Sequence, residues 1–167
     1  MDNTQLVEIK AKDFHGMQNL ESINLSDNKL SSVPLDVFAT LKKLRYFDLS
    51  YNQIEELPNK IFGNNLELKE IHLQCNKIKY LGTGIFNDLK KLYFVNLKGN
   101  ICFDKEYGGA TEIIQLKKDI KRWKNPKNTT STTQNPKKNG IENSFWIIII
   151  FFTLMIFTNI ILFKYCY

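Results

Sequence analysis

Residues 44–58 read LRYFDLSYNQIEELP. Phe47 and Leu49 alternate with Tyr46, Asp48 and Ser50, and this period of two predicts a short strand over 46–49 with the first pair facing inward. The strand is followed by Asn52 and then by two further apolar anchors, Ile54 and Leu57. Nearly the same text stands 24 residues earlier, LESINLSDNKLSSVP at 20–34, and 24 later, LKEIHLQCNKIKYLG at 68–82. Aligned at that period, Leu20, Leu44, Leu68 and Leu92 form one column, Ile23, Phe47, Ile71 and Val95 a second, and Leu25, Leu49, Leu73 and Leu97 a third. Asn28, Asn52, Asn76 and Asn100 fill a fourth, and Phe14, Phe38, Phe62 and Phe86 a fifth.

Such a repeat implies stacked coils, because one coil of 24 residues cannot bury its own apolar face and must borrow a neighbour's. Each coil has to turn after its strand, which takes backbone N–H and C=O groups away from water. An asparagine amide both donates and accepts, so amides stacked from coil to coil can satisfy those groups. Asn28, Asn52, Asn76 and Asn100 are therefore expected to form a structural ladder. One departure is visible: the column of Met17, Leu41 and Leu89 holds Asn65, with Leu66 one place late, which predicts a local distortion of that loop.

The columns spell L-x-x-L-x-L-x-x-N-x-L over roughly residues 4–103, and the chain thereby resembles the leucine-rich repeat family. The 24-residue period with its LP and late phenylalanine resembles the subtype found in Toll-like receptors, adhesion proteins and arthropod immune proteins. The resemblance implies an α/β solenoid, with a short parallel ladder on the concave face and a mostly irregular or 3₁₀ convex side. It also implies a protein-binding role, in immunity or cell contact. Running the register backwards starts the chain in mid-repeat, which leads us to expect an N-terminally truncated chain whose edge at Leu20, Ile23 and Leu25 has little cover.

The expected organisation is a solenoid over 1–103, a C-terminal cap over 104–124, a flexible polar stalk over 125–144, a transmembrane helix over 145–163 and a short tail, 164–167. In the cap, Ile113, Leu116, Ile120 and Trp123 fall on one stripe of an amphipathic helix. The stalk is Asn, Thr, Lys and Pro with few apolar residues, a composition that cannot collapse. Phe145–Phe163 carries no charge and holds seven Ile, five Phe and two Leu. At about 1.5 Å per residue it spans about 28 Å, matching a hydrocarbon core. A glycolipid-anchor signal is the alternative for this tail, opposed by Lys164 near its end.

The formal charge of +6 is a local property: 13 Lys and Arg against 12 Asp and Glu leave +1 in residues 1–100, whereas 117–138 carries +7. The basic run coincides with the capping helix and stalk, and nucleic-acid binding has no further support. Lys127, Lys137 and Lys138 on one side of the apolar segment against Lys164 on the other favour a cytosolic repeat domain. The repeat subtype and the sequons at Asn24 and Asn128 favour an extracellular one, which is our expectation, with a single-pass membrane protein as the outcome. Three cysteines, Cys75, Cys102 and Cys166, are an odd number at unrelated spacings and indicate neither a disulfide framework nor a zinc site.

Two histidines far apart in the repeat, with no metal spacing, nucleophile elbow or phosphate loop, exclude a recognisable enzyme, metal site or cofactor site. The outward strand positions supply a binding face instead: Arg45, Tyr46, Asp48, Glu70, His72, Tyr93, Phe94 and Asn96. Tyr46, Tyr93 and Phe94 offer large contact area at small entropic cost. The expected partner is a protein ligand on this concave face. The alternative is a truncated structural or decoy paralogue that associates with full-length leucine-rich repeat proteins through its N-terminal edge.

Overall fold

The computed structural model describes residues 5–123. The expectations for the stalk, the apolar segment 145–163, the tail and Asn128 lie outside the described residues. Among the described residues no helix is long and apolar enough to cross a membrane.

Four strands repeat at the sequence period: β1 (Ser22–Asn24), β2 (Tyr46–Asp48), β4 (Glu70–His72) and β6 (Phe94–Asn96). They pair in parallel and in register, Ile23 beside Phe47, Phe47 beside Ile71, and Ile71 beside Val95. Their central residues are buried while the flanking positions face outward, so the period of two is realised in strands of three residues. Between β2 and β6 lie β3 (Glu56–Leu57) and β5 (Tyr80–Leu81), which form a second, two-stranded parallel sheet. This second pairing was not anticipated; it brings Leu57 and Leu81 together in the core. The rest of the convex side is turns, and a 3₁₀ helix spans Ala11–Phe14. The coils approach closely there: a Cβ on Gly82 would lie 2.3 Å from the Asn59 backbone nitrogen, so only glycine fits.

The asparagines bind each coil to the one before it. Asn52 Nδ2 donates to the carbonyls of Leu49 and Ser50 in its own turn and of Leu25 in the preceding one, while its Oδ1 accepts the Leu30 N–H at 3.0 Å. Asn76 repeats this with Leu49, Leu73 and Gln74 carbonyls and the Ile54 N–H, and Asn100 with Leu73, Leu97 and Lys98 carbonyls and the Ile78 N–H. Asn28 donates to the Leu25 and Ser26 carbonyls and accepts the Leu6 N–H. The residue before each amide is left-handed: φ is 58° at Asp27, 53° at Tyr51, 53° at Cys75 and 67° at Gly99. Only the last is glycine, so three side chains hold a conformation that L residues disfavour by about 1–2 kcal/mol. The turn that presents the amide imposes it.

Behind the sheet, phenylalanine rings stack along the solenoid: Phe38 to Phe62 at 6.5 Å and Phe62 to Phe86 at 6.4 Å, with Phe47 edge-on to both Phe38 and Phe62. Phe14 adds to this column at 5.7 Å from Phe38. The first coil is better covered than its sequence implies. Ile9 and Phe14 are buried with Ile23, and Leu20 and Leu25 pack against that core, so the expected bare edge is partly closed by residues 5–19.

Two further features were not anticipated. Asn65 is fully buried in the apolar column, its Nδ2 donating to the Phe38 and Leu41 carbonyls at 2.9 Å, while Leu66 is turned outward and Lys60 in the same loop is left-handed at φ 64°. The cap also begins with a strand that the sequence reading did not single out. β7 (Glu106–Gly108) runs antiparallel to β6, buries Tyr107, and leads into α1 (Gly109–Arg122). Ile113, Leu116 and Ile120 of α1 are buried, whereas Trp123 is the C-cap, 40% exposed and tilted against Phe103 at 5.5 Å.

Candidate functional site

The outward positions of β2, β4 and β6 form two cross-strand rows. Tyr46, Glu70 and Phe94 are opposite one another in the first, and Asp48, His72 and Asn96 in the second. The His72 ring lies 5.0 Å from Tyr46 and 5.2 Å from Phe94, centroid to centroid, with tilts of 40° and 42°. Three rings thus cross three strands as one band, each supporting the next in the way cross-strand neighbours do. Tyr93, one residue before β6, is 47% exposed and donates its hydroxyl to Glu70 Oε1. His72 Nε2 is 3.5 Å from the other oxygen of Glu70.

Asp48 is not the accessible contact its position suggests. It is 8% exposed, with Oδ1 accepting the Ser50 N–H at 2.8 Å and the Ser50 hydroxyl at 2.6 Å, and Oδ2 accepting the Tyr46 hydroxyl at 3.2 Å. Asn24 Oδ1 accepts the Ser26 N–H and Asn96 Oδ1 the Lys98 N–H in the same fashion. This column therefore turns the chain out of each strand through a side chain that bonds two residues ahead, the usual Asx device. The pattern was visible in the sequence as Asn or Asp two residues before Ser or Lys, and sequence reasoning missed it. His72 occupies the same column and presents a ring instead.

The electrostatics of the band follow from these bonds. Burial foremost, with the Asp48 carboxylate and its hydrogen bond next, pushes the Tyr46 phenol above its ordinary value. The hydrogen bond to Glu70 does the same for Tyr93. Both phenols are held as donors to carboxylates. Arg45 stands apart from the band, paired with Glu21 of the preceding coil at 2.9 Å. The face thus brings Tyr46, Asp48, Glu70, His72, Tyr93 and Phe94 together, with Asn96 at its margin. Asn24 is exposed on β1.

Among the described residues no group of three or more His, Cys, Asp or Glu is placed to hold a metal ion. Cys102 is a buried free thiol, 5% exposed, which burial pushes up to about 12. It packs as a small apolar side chain in the column of Leu30, Ile54 and Ile78.

A family model described as "Leucine rich repeat" matches residues 1–54 and again residues 48–101. The crystal structure of the leucine-rich repeat domain of APL1B superposes with a TM-score of 0.56 at 22% identity, covering 60% of this chain and 30% of that chain. That likeness bears on the fold. No curated protein matches the chain significantly. Two overlapping family matches, an in-register parallel ladder and the asparagine spine lead to one conclusion: the chain belongs to the leucine-rich repeat family.

Proposed function

We propose that this chain is a recognition module that binds a protein ligand on its concave sheet, anchored by Phe145–Phe163 as a single-pass membrane protein with the repeats outside the cell. The observation that carries the binding face is the ring band Tyr46–His72–Phe94, continued by the half-exposed Tyr93. Aromatic side chains of this kind anchor interfaces because they present much area and lose little rotamer freedom. By its subtype the role falls in innate immunity or cell adhesion. The apolar length and the absence of charge in 145–163 support the anchor, and the sequons at Asn24 and Asn128 support the outward orientation.

The test is selection of ligands from a displayed ectodomain and peptide library on the full chain in lipid nanodiscs. Binders are expected to lose affinity on Tyr46→Ala with Phe94→Ala and to keep it on Leu35→Ser, a change of an exposed convex residue. The opposite pattern overturns the concave assignment. Orientation is read separately: glycosidase treatment of the expressed protein shifts its gel mobility if the repeats are outside.

A second reading, association with another leucine-rich repeat protein at the first coil, is favoured by the exposure of Leu6, Val7 and Met17 on that end. Concentration-dependent sedimentation abolished by Val7→Lys with Met17→Lys supports it.

A further inference from the structure

Three glutamates elsewhere on the solenoid sit against lysine or arginine one coil away, Glu21 with Arg45, Glu55 with Lys79 and Glu67 with Lys91. The band is different. Glu70 is central on the sheet, its side chain one-third exposed, and its partners are the Tyr93 hydroxyl and His72. Asp48, one row away on the adjacent strand, is held by Ser50 and Tyr46. Among the described residues neither carboxylate has a lysine or arginine within ion-pair distance. Glu70 also lies directly between Tyr46 and Phe94 in the cross-strand register. The result is a carboxylate flanked in the strand register by two aromatic side chains, with His72 as its ring partner, a second carboxylate on the adjacent strand, and no lysine or arginine among the described residues within ion-pair distance of either.

We propose that this seat takes a guanidinium group, an arginine side chain of the protein ligand, paired with Glu70 and flanked by the rings of Tyr46 and Phe94. The inference rests on the concave-face reading and names the chemistry of its partner. Arginine suits the place better than lysine for two reasons. Its planar fork matches both oxygens of a carboxylate at once, and its flat, weakly hydrated face packs on aromatic rings. An acidic ligand group would meet the Glu70 carboxylate, which has no lysine or arginine partner, and be disfavoured.

The experiment uses the full chain in nanodiscs with ring-labelled Tyr and Phe, and three capped pentapeptides identical except for a central arginine, lysine or citrulline. The arginine peptide is expected to shift the Tyr46 and Phe94 ring resonances and to bind roughly tenfold or more tightly than citrulline, its uncharged near-isostere. Glu70→Gln, which keeps a side chain able to meet Tyr93, should remove that difference while leaving the melting temperature in place. Equal effects of arginine and lysine overturn the guanidinium assignment, and absence of ring shifts with the arginine peptide overturns the seat. If arginine and citrulline peptides bind equally and both are lost in Tyr46→Ala with Phe94→Ala, the concave face still recognises protein and this inference alone fails.

Discussion

At the scale of single residues, two buried asparagines differ in what they hold. Asn76 accepts the Ile54 N–H and donates to three carbonyls in a place without water, so Asn76→Ala orphans a buried donor. Such an orphan costs about 1–3 kcal/mol, and we expect a loss of that size, read as a lower denaturant midpoint. Asn65 donates to carbonyls that already receive backbone N–H groups, Phe38 O from Leu41 at 3.1 Å and Leu41 O from Leu44 at 3.2 Å. Its own Oδ1 is buried without a hydrogen bond. Asn65→Leu removes that unpaired atom and restores the residue found at Leu41 and Leu89, so the unfolding free energy read from the same titration should stay or rise by up to about 1 kcal/mol. The ladder amides were legible because their column has no exception. The burial of Asn65 was not, because whether a polar residue in an apolar column points inward depends on carbonyls 24 and 27 residues upstream.

At the scale of elements, helix α1 was legible from the spacing of Ile113, Leu116 and Ile120, whereas β7 was not. Three residues, Glu106–Gly108, carry no periodicity, and the strand exists because Tyr107 fits beside Val95 on β6. The junction between the two elements is capped by Glu112, which accepts the Gly108 N–H at 2.8 Å and Lys105 Nζ at 3.3 Å. The Gly108 N–H foremost, then Lys105, holds this carboxyl below its usual 4.5. A lowered carboxyl stabilises the fold at pH values above its unfolded value, and the contribution disappears as pH falls through the folded one. Wild type should therefore melt higher than Glu112→Gln at about pH 7, and the gap should close in calorimetry as pH is taken below the usual carboxyl range. The concave face shows the same division. Its aromatic members were readable from strand alternation, and so was the Asx turn of Asp48 with Ser50, whereas the Tyr93–Glu70 bond depends on a neighbour a coil away.

At the scale of the molecule, stability is a sum over neighbouring coils, so the cost of a truncation depends on how many coils it touches. Phe62 stacks between Phe38 and Phe86 and meets Phe47 edge-on, whereas Phe14 meets Phe38 alone among the rings. Phe62→Ala is expected to cost about 3–5 kcal/mol and Phe14→Ala distinctly less, with chemical denaturation of the two variants as the check. The reversal at β7 carries a different meaning for the whole. A parallel stack has a polarity, and an extra two-dozen-residue coil spliced in ahead of Leu92 would find compatible neighbours on both flanks. Grafted after Gly108, the same insert would confront a strand running the wrong way and a helix lying across its path. The wall can be lengthened from within, and its downstream margin is a terminus by construction.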